Sequence, residues 1–337
     1  GIQTGVRLAA ILLVDPLVTS ATELLLVSTG VRVALFLPVA IYLGVVPRVP
    51  ARRELKRAWE FARWSIPDQV LDRFSYNMPV LVLGVVATPT AVGVYEAADR
   101  FADFGASISW RLSSPLLTKV SGDAAAGNDY AAYLGGAITG GTGVTFVVFG
   151  YLIGAHDIVA QIAFSSAEAA FSTTVLVVGG VNIVRGFWTL TSHAMEGIGK
   201  PSVSFRTKLY GLIVSVPIPM LLGAEYGAIA GAAGYGVMNL AIFAYVCYYA
   251  YGVFGHIPVD ILTTTHLSVG CVVASLLTIG TVSIGATTTL SPTVLAALAA
   301  LICLCGFAGV LLLMSSPTRV VARRVVELSR GTLRGVV

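Results

Sequence analysis

The charges of this 337-residue chain fall in clumps, and between the clumps run apolar stretches of about 20 residues, the length of helix that crosses a bilayer's hydrocarbon core. That spacing predicts an all-α, polytopic membrane protein. Composition points the same way: 56% of residues are hydrophobic, 11% are charged, and the mean hydropathy is +0.86. Soluble domains carry about 25% charged residues, so a water-facing surface of ordinary size cannot be built here.

Reading apolar runs against their breakers gives ten expected spans, near 6–26, 30–47, 67–87, 91–118, 134–153, 170–194, 203–222, 227–251, 263–285 and 292–315. Lys and Arg orient them. Sixteen of the 21 fall in alternate loops or adjoining helix ends: Arg7, the cluster Arg48 to Arg63, Lys119, the trio Lys200, Arg206 and Lys208, and the tail from Arg319 to Arg334. The opposite loops contain none, and positive charge stays on the cytoplasmic side, so both chain ends are expected there, in the plasma membrane. The chain opens GIQTGVRLAAILL, without Met or a basic leader, which reads as a fragment starting inside a longer protein.

The segment RVPARRELKRAWEFAR reads as a basic, helical linker on the inner membrane face, and RVVARRVVELSRGTLRGVV as an interfacial helix against anionic lipid. The expected units are therefore 1–47, two helices of one lobe; 48–66, the linker; 67–255, a six-helix lobe; 256–316, an additional pair; and 317–337, the tail. Four cysteines in apolar runs read as small hydrophobes, and four scattered histidines hold no metal-ligand spacing. No catalytic residue, metal or cofactor is expected, and nothing points to nucleic acid.

Five arginines lie inside spans: Arg32, Arg73, Arg100, Arg111 and Arg185. In the fourth span Glu96, Asp99, Arg100, Asp103 and Arg111 share roughly 120° of arc at helical spacing. Charge at the bilayer centre is costly, so such a stripe faces a protein partner or a watery cavity. Only TPT joins the third and fourth spans, which makes them a tight antiparallel hairpin. Its register pairs Asp68 with Arg111, brings Arg73 within a turn of Asp103, and sets Asp72 level with Ser107. Glu96, Asp99, Asp72 and Arg100 then need partners elsewhere or water. Arg185 has no acidic residue within seven positions, which favours a cavity-facing role; structural pairing with Glu96, Asp99 or Asp103 is the competing expectation. GGAITGGTG and GAIAGAAGYG have the small-residue spacing that lets helices approach closely, and Pro217 and Pro219 should kink the seventh span.

In ELKRAWEFARWSIPDQVLDRFSYNMPVLVLG, TAVGVYEAADRFADF, MEGIGKPSVSF and EYGAIAGAAGYGV the chain resembles the oligosaccharide flippase (polysaccharide biosynthesis) branch of the multidrug/oligosaccharidyl-lipid/polysaccharide exporter superfamily. The first is similar to that family's basic linker and charged Asp-Arg helix. Val92 to Phe101 is similar to its avGlYalayrl pattern, Glu196 to Pro201 to its alGkp loop, and the last to its fGiiGaa helix entry. The resemblance covers about residues 54–255 and implies spans five to fourteen of a two-lobe, 14-span transporter, truncated at its N-terminus.

A polyprenyl-phosphate-linked oligosaccharide needs a cation for its phosphate, and arginine supplies bidentate donors without losing charge. Arg73, Arg100 and Arg185 are the candidates, with Asp72, Tyr76, Asn77, Glu96 and Asn182 lining a polar cavity for the glycan. The resemblance implies a flippase working by alternating access, not an enzyme, with glycan-assembly proteins as possible company. An ion-coupled drug antiporter would instead use Glu96, Asp99 and Asp103 as coupling sites, but the span arginines would repel a cationic drug. A membrane glycosyltransferase or polymer ligase would need a larger outer loop than GAHDIVAQIAFSSAEA.

Overall fold

A computed structural model describes residues 51–164, 169–285 and 290–314, together with Gly30. The chain divides into two compact units, 1–59 and 60–337, and all of the described structure from residue 60 onward belongs to the second. The first two expected spans, Gly30 apart, and the basic tail lie outside the described residues.

All regular structure among the described residues is helical. The helices are α1 (Arg52–Val86), α2 (Pro89–Ala126), α3 (Ala131–Ala163), α4 (Ala169–Gly197), α5 (Pro201–Ser215), α6 (Pro217–Tyr226), α7 (Ala228–Phe254), α8 (Ile261–Gly285) and α9 (Pro292–Met314). Basic linker and third span form one helix: α1 starts at Arg52 and continues through Pro67 and Pro79. Among the described residues five helices are long and apolar enough to cross a membrane, six if the bent pair α5–α6 counts as one. α1 and α2 fall outside that set, and both carry the charges on which the site depends.

Local chemistry sets the corners. Thr88 caps α2, its hydroxyl accepting from the Ala91 N–H at 3.2 Å, and Pro89 occupies the first helical position where no N–H is missed. Gly127 ends α2 at φ 71, a left-handed conformation that glycine adopts without a Cβ clash. Just before it, Lys119 Nζ at 3.0 Å and the Tyr133 hydroxyl at 2.8 Å both donate to Asp123, holding that carboxyl below its ordinary range. α5 and α6 meet at a 40° bend, where Pro217 opens the second helix; the expected kink is present.

α4 is the central rod, packed on α2, α3 and α7, while α8 and α9 pair with each other against α3. One apolar cluster joins Met78, Leu83, Tyr95, Ala98, Val178 and Met238; a second joins Leu134, Phe146, Leu190, Cys271 and Cys303. Outward faces such as Leu221, Leu276, Leu301 and Leu313 are apolar and exposed, as surfaces solvated by lipid tails are.

Glycine explains two approaches. Gly231 admits the Leu83 side chain and Gly234 the Pro219 ring, whereas Gly136 and Gly140 of the other small-residue run face open space. Backbone also comes close at Gly105, where a Cβ would stand 2.8 Å from the Thr145 Cα. Backbone cannot swing aside as a side chain does, so Gly105→Ala is expected to cost about 1–3 kcal/mol of stability. Gly93→Ala, in open space, should stay within about 0.5 kcal/mol. Thermal unfolding in detergent separates the two, and equal midpoints would contradict the packing of α2 on α3.

Candidate functional site

The polar centre of the unit is built on α4. Gly186 keeps its surface low, with the Thr142 methyl and the Ser109 hydroxyl against it, so α2 and α3 lie close to α4 at this level. Arg185, the preceding residue, reaches across to α2, and its Nη1 donates to Asp103 Oδ1 at 2.6 Å. From α1 the Tyr76 ring sits 5.3 Å from the guanidinium carbon, and the Tyr76 hydroxyl donates to Asp99 Oδ2 at 3.3 Å. Three helices thus converge on one charged cluster. Arg185 and Asp103 remain partly open, with side chains 19% and 25% exposed, so the pair borders the surface instead of lying sealed in the core.

Deeper in, the Tyr235 hydroxyl donates to Asn182 Oδ1 at 2.9 Å, and Trp188 Nε1 donates to Asn239 Oδ1 at 2.9 Å. Asn239 in turn donates to the Tyr235 carbonyl at 2.8 Å. Asn182 is fully buried, so in this structure it belongs to the packing between α4 and α7 and does not line an open cavity. Its Nδ2 finds no partner among the described residues, an expensive arrangement for a buried donor.

A second set is exposed. Arg100 and Glu96 on α2 pair at 3.1 Å with side chains 68% and 52% exposed, which leaves both groups accessible. Arg73 and Asn77 on α1 are exposed too, the Asn77 amide donating to the Arg73 carbonyl at 2.7 Å. Arg111 is likewise exposed.

The expected Asp68–Arg111 pair does not form. Asp68 Oδ2 instead accepts from Lys208 Nζ on α5 at 3.0 Å, and Lys208 also lies 3.1 Å from Asp72 Oδ1. A hairpin holds two helices only, but α5 stands beside α1 at this level and takes the inward face of Asp68. Asp103 in turn accepts from Arg185 of α4, a third helix outside the hairpin. Of the competing expectations for Arg185, pairing with an acid of the fourth span is the one this structure displays.

Lys208 was grouped by sequence with loop charges, yet it is one of the most deeply buried charged residues described. The signal was available in part: Ser204, Lys208, Gly211 and Ser215 recur at helical spacing and are all buried. No group of three metal-ligating side chains occurs among the described residues.

These features define an all-α lobe of membrane-length helices with a charged seam between its first two helices and its central one. No protein-family profile matches the chain. It is similar to the lipid II flippase MurJ, solved in an inward closed conformation, with a TM-score of 0.63 at 12% identity over 93% of this chain and 66% of MurJ. That likeness establishes the fold. In sequence it is 19% identical over 195 residues to the probable low-salt glycan biosynthesis flippase Agl15 of Haloferax volcanii. The match covers 57% of this chain but 41% of Agl15, so the chain spans less than half of that relative. The match to Agl15 supports the resemblance to the oligosaccharide flippase branch, and the likeness to MurJ supports the fold that the resemblance implies.

Proposed function

We propose that this chain serves a flippase activity that moves a polyprenyl-phosphate-linked oligosaccharide from the inner to the outer leaflet by alternating access. The observation that carries the reading is the charged seam: Arg73 of α1 and Arg100 of α2 exposed, and Arg185 of α4 partly open, in a lobe of MurJ-like fold. Guanidiniums grip phosphate oxygens in pairs, and Asp72, Tyr76, Asn77 and Glu96 supply hydroxyl-matching groups along the same side. The names of the two similar proteins, a glycan biosynthesis flippase and a lipid II flippase, support this substrate class. The work is binding and movement, with no bond made or broken.

In this reading the basic ends and linker lie in the cytoplasm of a plasma-membrane protein, residues 67–255 form one lobe, and 256–316 add a pair beside which the lipid tail runs. Anionic lipids hold the linker and tail, and glycan-assembly proteins work alongside. The antiporter reading is weaker, because Asp103 is spent on Arg185 and Glu96 is paired with Arg100, which leaves Asp99 alone of the three expected coupling acids without an ion pair among the described residues.

Full-length Arg73→Gln/Arg100→Gln tests the seam. Both side chains are exposed, so protein level and melting should be unchanged, while glycan export in a strain lacking its own flippase falls by roughly tenfold or more. Export at the parental rate would remove the seam from the pathway.

A further inference from the structure

Two arginines from different helices share one indole. Arg63 on α1 and Arg206 on α5 place their guanidinium carbons 5.8 and 5.7 Å from the centre of the Trp64 ring. Phe205 braces the indole from the side, 5.7 Å between ring centres and tilted by 54°. Both arginines are exposed, and among the described residues neither reaches a carboxylate at ion-pair distance. The level of α1 against α5 is fixed one turn further along, where buried Lys208 meets Asp68. The pairing is therefore held by the fold and not by the two long side chains alone.

A guanidinium stacked on an aromatic ring keeps its rim of N–H donors free, and the rim is what matches phosphate oxygens. Indoles also favour the level of lipid headgroups. The surface below distinguishes a lipid from a soluble anion. Arg63 heads an exposed row formed with Ile66 and Val70, and Arg206 heads another formed with Leu209 and Ile213. Each row follows helical spacing of three and then four residues, so each arginine stands at the top of an apolar track.

We propose that Arg63, Trp64 and Arg206 form a headgroup site for an anionic phospholipid, its phosphate held by both guanidiniums and its acyl chains lying along the Ile66–Val70 and Leu209–Ile213 tracks. The site is separate from the charged seam and does not depend on which substrate is carried.

The test uses the purified chain in neutral detergent, titrated with short-chain phosphatidylglycerol, phosphatidylcholine or inorganic phosphate. Trp64 emission is read as the difference between the parent protein and Trp64→Phe. Phosphatidylglycerol should give a saturable change with a midpoint roughly tenfold below that of phosphatidylcholine, and Arg63→Gln/Arg206→Gln should abolish that preference. Arg63→Lys/Arg206→Lys keeps the charge but loses the fork, so it should fall between. Equal midpoints for the two lipids in the parent protein would overturn the site without any variant. A preference surviving in a double-glutamine protein of parental melting temperature would do the same. Inorganic phosphate acting at the same concentration as phosphatidylglycerol would overturn the lipid assignment.

Discussion

Lys208→Met is expected to destabilise the protein by about 3–5 kcal/mol, the usual consequence of leaving a buried charge without its partner. The lysine side chain is 5% exposed and that of Asp68 10%, so water cannot take over the role of the lost ammonium. Asp72, half exposed, should tolerate the change far better. Adding Asp68→Asn removes the stranded carboxylate, and Asp68→Asn/Lys208→Met should regain more than half of the loss. Arg111→Gln serves as the contrast: an exposed arginine that Asp68 does not use should cost no more than about 0.5 kcal/mol. Thermal unfolding of the four proteins in one detergent decides the matter. A Lys208→Met protein that melts with the parent, or an Arg111→Gln protein that melts as low as Lys208→Met, would reinstate the hairpin pairing.

The second large effect is on export. Arg185→Ala should abolish it, but that variant alone is ambiguous, since it strands Asp103 at a contact of 2.6 Å. Arg185→Ala/Asp103→Asn removes both charges, so protein level and melting should recover while export stays down by about a hundredfold, the scale of two charge-assisted contacts to a phosphate. Arg185→Lys retains the charge without the fork and should export at an intermediate rate. Parental export by the double variant would mean that Arg185 serves only to neutralise Asp103.

These two residues also mark the boundary of what the sequence could disclose. Helix positions followed from apolar run length, and the bend of the seventh span followed from two prolines, because both depend on neighbours along the chain. Partners of buried charges depend on which helices stand together. Lys208 and Asp68 are 140 residues apart, and Arg185 and Asp103 are 82 apart. The hairpin geometry was a sound local constraint: Tyr76 does meet Asp99, close to the level that a short turn at residue 89 dictates. It failed at Asp68 because a helix has more than one inward face, and the α5 side was invisible until α5 was in place. Asn182 misled for a related reason. A polar residue in an apolar span signals a polar neighbour, but whether that neighbour is a ligand or Tyr235 is decided by α7.

The bend between α5 and α6 has a mechanical consequence. Pro217 and Pro219 have no amide hydrogen, so the carbonyls of Ile213 and Ser215, four residues earlier in each case, lack their helical donors. A rod that flexes must normally lengthen or break bonds in its ladder. Here two rungs are already absent, and glycine at 234 lets the Pro219 ring nest against α7 without a side chain in the way. Changing the angle at this joint therefore sacrifices fewer backbone bonds than bending an uninterrupted span would.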